Sequence, residues 1–212
     1  RYLLENGFNI HHERFSKDLP MGVMAAKFGD INILKLMIEL GLDVNLVAEK
    51  GALRGLSTLG VAITRRDVKM VECLVENNAD VNFVVEMKTS KIGLVGLAVC
   101  GGIPDIVEYL VKKVADVNFV IEEGPYKGIC ALRFVFFVET VETQMKLVEV
   151  LVKNGVNIDK EDEHGQTSLM AFSDAGRLEI VKYLVENRAD VNCFSNNGES
   201  SLSAASEKGH FE

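Results

Sequence analysis

Apolar residues recur along this chain at spacings of three and four. Ile33, Leu34, Met37 and Ile38 return as Met70, Val71, Leu74 and Val75, then as Ile106, Val107, Leu110 and Val111. Leu147, Val148, Leu151 and Val152 follow, and Ile180, Val181, Leu184 and Val185 close the series. This period puts each foursome on one face of a helix and leaves Lys and Glu on the other, which predicts helices over 31–40, 68–77, 104–113, 145–154 and 178–187. The pairs Glu108 with Lys112, Glu149 with Lys153 and Lys182 with Glu186 are spaced to meet on the solvent face, at about 0.2–0.5 kcal/mol each.

Each predicted helix is closed by one phrase. It reads Asp43-Val44-Asn45, Asp80-Val81-Asn82, Asp116-Val117-Asn118, Asn157-Ile158-Asp159 and Asp190-Val191-Asn192. A second repeated position lies upstream of each stripe, at Ala25, Ala62, Ala98, Val135, Phe172 and Ala205; small residues there allow a short first helix to approach its neighbours. Gly41 and Gly155 suit a left-handed residue after the second helix, and Asn78, Val114 and Arg188 stand in the same place. A β-branched residue such as Val114 adopts that conformation at a cost of roughly 1–2 kcal/mol.

A fixed period of this length is the mark of a stack of similar units whose core grows one neighbour at a time. The units divide a single array over 1–212 into a partial first unit at 1–11, full units at 12–45, 46–82, 83–118, 119–159 and 160–192, and a partial last unit at 193–212. Further repeats or domains beyond both ends are the expectation. The run Gly165-Gln166-Thr167-Ser168-Leu169-Met170-Ala171-Phe172 and its echo Gly198-Glu199-Ser200-Ser201-Leu202-Ser203-Ala204-Ala205 resemble the signature of the ankyrin repeat family. The resemblance implies an all-α repeat solenoid of helix-turn-helix units with projecting β-hairpin loops. It also implies protein recognition by the hairpin tips and the inner face of the first helices. Carried over by position, that face holds Lys27, Phe28, Thr64, Arg65, Cys100, Gly101, Asp174, Ala175, Glu207 and Lys208. The family's signature histidine is replaced throughout, by Val23, Gly60, Gly96, Arg133, Met170 and Ser203, so Gly60 and Gly96 are expected to loosen the starts of their helices.

Spacing between the units is uneven. From the closing phrase to the next small position the chain takes its shortest path between Asn157 and Phe172 and between Asp190 and Ala205. The path is three or four residues longer after Asp43, Asp80 and Asp116. The additions predict three extended hairpins, at 45–55, 82–93 and 118–128. Their tips carry Lys50, Arg54, Lys88, Lys91, Tyr126 and Lys127, and these join Lys27, Phe28 and Arg65 as the candidate binding residues. A further insertion of four residues lies between Val135 and Asn157. It is expected to lengthen a first helix and bury Phe137 in the stack; an exposed aromatic edge is the alternative.

Charge and composition narrow the function. A net charge of -8 argues against general nucleic-acid binding. The stretch 51–70, with Arg54, Arg65, Arg66 and Lys69, keeps an RNA-binding module as a lesser alternative. No nucleophile elbow, phosphate-binding glycine loop or HExxH motif occurs, and the repeated aspartates are spread along the stack instead of converging on one substrate. The reading is therefore a non-catalytic protein-interaction scaffold with no cofactor and no catalytic or metal site, or the regulatory part of a larger enzyme or channel. Cys73, Cys100, Cys130 and Cys193 show no metal-ligand spacing and read as free thiols of a cytoplasmic, or alternatively nuclear, protein. The longest uncharged stretch, 92–104, is too short to cross a bilayer.

Overall fold

The fold was analysed as a computed structural model, which describes Asn6, residues 18–87 and residues 90–211. Eleven α-helices appear among these residues. They come in antiparallel pairs: α1 (Met21–Phe28) with α2 (Ile31–Glu39), α3 (Thr58–Thr64) with α4 (Val68–Glu76), and α5 (Leu94–Cys100) with α6 (Pro104–Lys112). The next pairs are α7 (Ala131–Phe134) with α8 (Val141–Lys153) and α9 (Ser168–Asp174) with α10 (Leu178–Glu186), followed by α11 (Ser201–Glu207). First helices stack on first helices and second on second, which is the repeat solenoid read from the sequence. Residues 1–11 and the start of the unit at 12–45 lie largely outside the described residues.

The pairing follows from where the apolar stripes go. Leu34, Met70, Val71, Leu74, Ile106, Val107, Leu110, Leu147, Val148, Leu151, Ile180 and Leu184 are fully buried, and so are Ala62 and Ala98 at the repeated small position, with Ala25 nearly so. Complete burial of each Leu, Ile or Val contributes roughly 1.5–3 kcal/mol before chain entropy is subtracted. Helix starts are fixed by side-chain caps: Asp30, Ser57, Asp67, Thr140, Thr167 and Ser200 each accept a hydrogen bond from an amide in the first turn. Gly60 and Gly96 have a packing role, because a Cβ on Gly96 would lie 3.0 Å from Ile92 Cγ1 and one on Gly60 3.1 Å from Leu56 Cδ2. Glu108 and Glu149 pair with Lys112 and Lys153 as spaced, but Lys182 turns away from Glu186 to Glu179, three residues before it, at 3.1 Å.

The Asp-Val-Asn phrase does two jobs. Asp43, Asp80, Asp116 and Asp190 each accept the amide of the residue two positions on, at 2.8–2.9 Å, forming Asx turns. The asparagine then crosses to the following unit. Asn45 Nδ2 donates to the Asn78 carbonyl at 3.0 Å while its Oδ1 accepts the Asp80 amide at 2.8 Å. Asn82 repeats the clamp on Val114 and Asp116, and Asn118 repeats it on Gly155 and Asn157. At the fourth junction the order of the phrase is reversed, so Asp159 stands where the clamp needs Asn. It still accepts the Asp190 amide at 2.9 Å, but a carboxylate has nothing to donate to the Arg188 carbonyl.

The fourth pair departs from the expected pattern. Helix α7 stops at Phe134, passes through a 3-10 turn (Val135–Phe137), and the inserted residues lengthen the second helix, α8, which has 13 residues where its counterparts have nine. Thr140 caps α8 at its new start, and Gln144 on its first turns donates to the carbonyls of Phe136 (3.3 Å) and Val138 (2.7 Å). Phe137 is therefore 58% exposed, not buried in the stack. Phe172, a large residue in a position of small ones, is fully buried with its ring 6.2 Å from that of Phe136.

Two stability predictions follow. Val114 is 82% exposed with φ 66°, so its side chain contributes only strain there, while its carbonyl serves the Asn82 clamp. Val114→Gly is expected to stabilise the chain by about 1 kcal/mol, read as a raised urea midpoint at unchanged slope. An unchanged or lowered midpoint contradicts this. Asp159→Asn adds the missing donor and removes a carboxylate that acts together with Asp190 on the Cys193 thiol. It is expected to stabilise by roughly 0.5–1.5 kcal/mol, and a lower melting temperature is the contrary result.

Candidate functional site

Three hairpins project from the roots that the asparagine clamps fix. The first is held by an isolated bridge between Val47 and Ser57, with the Gly55 amide donating to the Ala48 carbonyl at 2.8 Å. In the second, β1 (Val84–Glu86) and β2 (Lys91–Gly93) pair antiparallel, with Val85 opposite Ile92. The third repeats the first, with a bridge between Val120 and Cys130 and the Gly128 amide on the Ile121 carbonyl at 2.7 Å. Val85 and Ile121 anchor their roots in the core at 2% exposure. The shorter fourth hairpin is closed by Asp162, whose carboxylate accepts the amides of His164 and Gln166.

Glycine lets the hairpins lie side by side. Gly55 and Gly128 have φ of 82° and 84°, and a Cβ would meet the Glu86 carbonyl oxygen at 2.4 Å or the Asp162 Cα at 2.7 Å in the next hairpin. Between the first two hairpins and the inner helices runs a groove of about 1170 Å³. Val47, Leu56, Val85 and Leu97 give it an apolar lining, with Arg54 and Met87 at its sides.

The nine candidate binding residues fall into different situations. Lys27 and Phe28 are both exposed, with the Lys27 ammonium 5.7 Å from the centre of the Phe28 ring, and Phe28 remains 70% accessible. Arg54 lines the groove and has no ion pair among the described residues. Lys50 is held 2.7 Å from Asp18, whose hydrogen bond and charge raise its pKa, and Lys91 lies 3.7 Å from Glu86. Tyr126 is 47% exposed at the third tip beside the exposed Lys127, and Lys88 lies outside the described residues. Arg65 is already engaged: its Nη1 donates to the Lys27 carbonyl at 2.6 Å, placing the guanidinium at the carbonyl end of α1. That carbonyl end carries the negative pole of the helix, so Arg65 ties two units together.

Arg133 is a residue whose role the sequence did not display. It occupies the signature histidine's position, with its guanidinium 5.4 Å from the Phe136 ring, and its one hydrogen bond is from Nη2 to Gln166 Oε1 at a long 3.4 Å. Nε and Nη1 are buried without a partner among the described residues, and burial lowers its pKa. Thiol chemistry has little support, since desolvation pushes the pKa of all four cysteines upward, that of Cys100 to about 11. No cluster of three or more His, Cys, Asp or Glu able to hold a metal occurs among the described residues, and none of their helices is long and apolar enough to cross a membrane.

A family model described as ankyrin repeats, in three copies, matches residues 23–121 and 138–212. The chain belongs to the ankyrin repeat family. No curated protein matches it. Ankyrin repeats are generally protein-interaction modules and typically non-catalytic. The segment between the two matched ranges, 122–137, covers the third hairpin tip and the whole irregular first helix of the fourth repeat.

Loss of the Arg65 tie is measurable. Arg65→Ala is expected to lower stability by about 1 kcal/mol in thermal or urea unfolding, because the exposed end of α1 loses a charge-assisted bond. An unchanged midpoint shows that Arg65 is free to serve a ligand instead.

Proposed function

We propose that this chain is a non-catalytic scaffold that binds a protein partner along its first two long hairpins and the adjoining inner helix face. The observation that carries the reading is the groove of about 1170 Å³ between them, open to solvent and lined by Val47, Leu56, Val85 and Leu97 with Arg54 alongside. An apolar groove flanked by a charge without an ion pair offers desolvation to a side chain and orientation to a polar group, the usual division of labour at protein interfaces. Phe28 extends the same face with accessible aromatic area. Four free cysteines, with no disulfide among the described residues, support a cytoplasmic place of action.

RNA binding has weaker support. The basic stretch does not form one surface: Arg54 lines the hairpin groove, Arg65 is spent on the Lys27 carbonyl, and Lys69 lines a separate groove with Lys35 and Glu72 between second helices. An RNA site needs its cations and stacking rings together.

The test compares the intact chain with one whose three long hairpins are cut to the length of the fourth, using affinity capture of interacting proteins. Loss of a reproducible protein partner, with helical content and melting retained, is the expected result. An unchanged set of partners rejects the hairpins as the binding edge, and RNA retained in a salt-sensitive manner would favour the nucleic-acid reading.

A further inference from the structure

One position on the second helices decides whether the seam to the preceding second helix is filled. Two residues after Val71, Val107, Val148 and Val181 the chain has Cys73, Tyr109, Val150 and Tyr183. Tyr109 and Tyr183 are half-buried and pack against the core. The Tyr109 hydroxyl is buried, and desolvation together with the charges of Glu76 and Glu72 raises its pKa, so the ring reaches from α6 onto α4. Cys73 has no ring to give. Beside it a groove of about 500 Å³ lies open between α2 and α4, with Ile31 and Ile38 in its lining.

Charge gives this groove a direction. Glu39 and Glu76 are the last residues of α2 and α4, and both line it at the carbonyl ends of their helices, where the backbone adds negative charge. Lys35 and Lys69 line it nearer the amino ends. With Glu72 the lining holds three carboxylates against two ammonium groups, and none of the five makes an ion pair among the described residues. Lys35 is close enough to Cys73 for its charge to oppose the rise that burial imposes on the thiol pKa. An ammonium placed there suits the face of a seated ring, as the Lys113 ammonium lies 5.5 Å from the centre of the Tyr109 ring.

We propose that the groove between α2 and α4 receives an aromatic side chain of a protein partner, a tyrosine or phenylalanine within two residues of a lysine or arginine. The ring replaces the one that Cys73 lacks, and the partner's cation meets Glu39 and Glu76. The proposal rests on the reading of the chain as a protein-binding scaffold and adds a contact on its second helices, whereas the larger groove is walled by hairpins and first helices. Cys73 and Glu76 are three residues apart, about 4.5 Å along the helix axis. One or two residues of an extended segment span that distance at about 3.3 Å each, which favours a peptide over a compact free amine.

The test is selection of random displayed peptides on the intact chain, with Cys73→Tyr as the comparison. That substitution fills the gap with a ring of the chain's own, in the manner of Tyr109. Peptides kept by the unmodified chain and lost on Cys73→Tyr are expected to carry Tyr or Phe within two residues of Lys or Arg. Such a peptide should bind at least about tenfold more weakly to Cys73→Tyr and to the double variant Glu39→Gln, Glu76→Gln, as loss of an anchoring aromatic contact or its charge partner requires. Changing the peptide's own aromatic residue to Ala should weaken binding equally. It leaves the protein untouched, so a folding defect cannot imitate it. Selected peptides without the aromatic and basic pair, or affinity indifferent to Cys73→Tyr and to the two glutamates, overturn the site. Tyramine bound as tightly as the peptide overturns the protein partner in favour of a small amine. Peptides that instead depend on the long hairpins overturn the groove while leaving the scaffold reading intact.

Discussion

The amide of Asn45, and its copies at Asn82 and Asn118, is the interaction on which the rest of this structure depends. Each side chain donates to the last turn of the next repeat and accepts from the start of that repeat's closing phrase, so one residue fixes both the distance and the register between neighbours. Its two bonds contribute only about 0.5–1.5 kcal/mol each. Apolar burial supplies far more energy, yet burial is non-directional and would tolerate a slipped or rotated stack. The clamps select one arrangement from those that burial permits.

Fixing the hairpin roots leaves the hairpin tips free to vary. A longer loop adds little closure entropy when its ends are already held, and the chain lengthens three hairpins in succession without disturbing the buried stripes on either side. Glycines at the points of closest approach let those hairpins lie against one another, so their exposed ends form an edge instead of separate loops. Irregularity inside a repeat is handled differently. Where Phe172 and the aromatic run 134–137 exceed the space that alanine leaves elsewhere, the first helix gives way to a 3-10 turn and Gln144 takes up the carbonyls this exposes.

Much of this was legible in the sequence. The period of the apolar positions located the second helices because a stripe of period 3.6 has one way to be buried, and the unequal spacing between phrases located the long hairpins because the helical register persists across them. The aspartates act locally, since an Asx turn closes within two residues. The asparagine clamp was not legible, because its partners lie more than thirty residues away and no local pattern records them. The four inserted residues were assigned to the wrong helix for a similar reason: Phe136 and Phe137 look like core, while the deciding signal was the modest cap at Thr140. Arg65 looked like a free donor and proved to be tied to Lys27. The idle donors of Arg133 follow from burial, which a sequence does not print.

Amide hydrogen exchange at the clamped positions tests the central claim most directly. Asp80, Asp116 and Asn157 are surface residues whose amides have no backbone acceptor in their own turns and are held by the side chains of Asn45, Asn82 and Asn118. The account predicts that these three amides exchange as slowly as those of the buried helices, and that Asn82→Ala releases Asp116 selectively. Exchange at the rate of an unstructured peptide in the unmodified chain would contradict it.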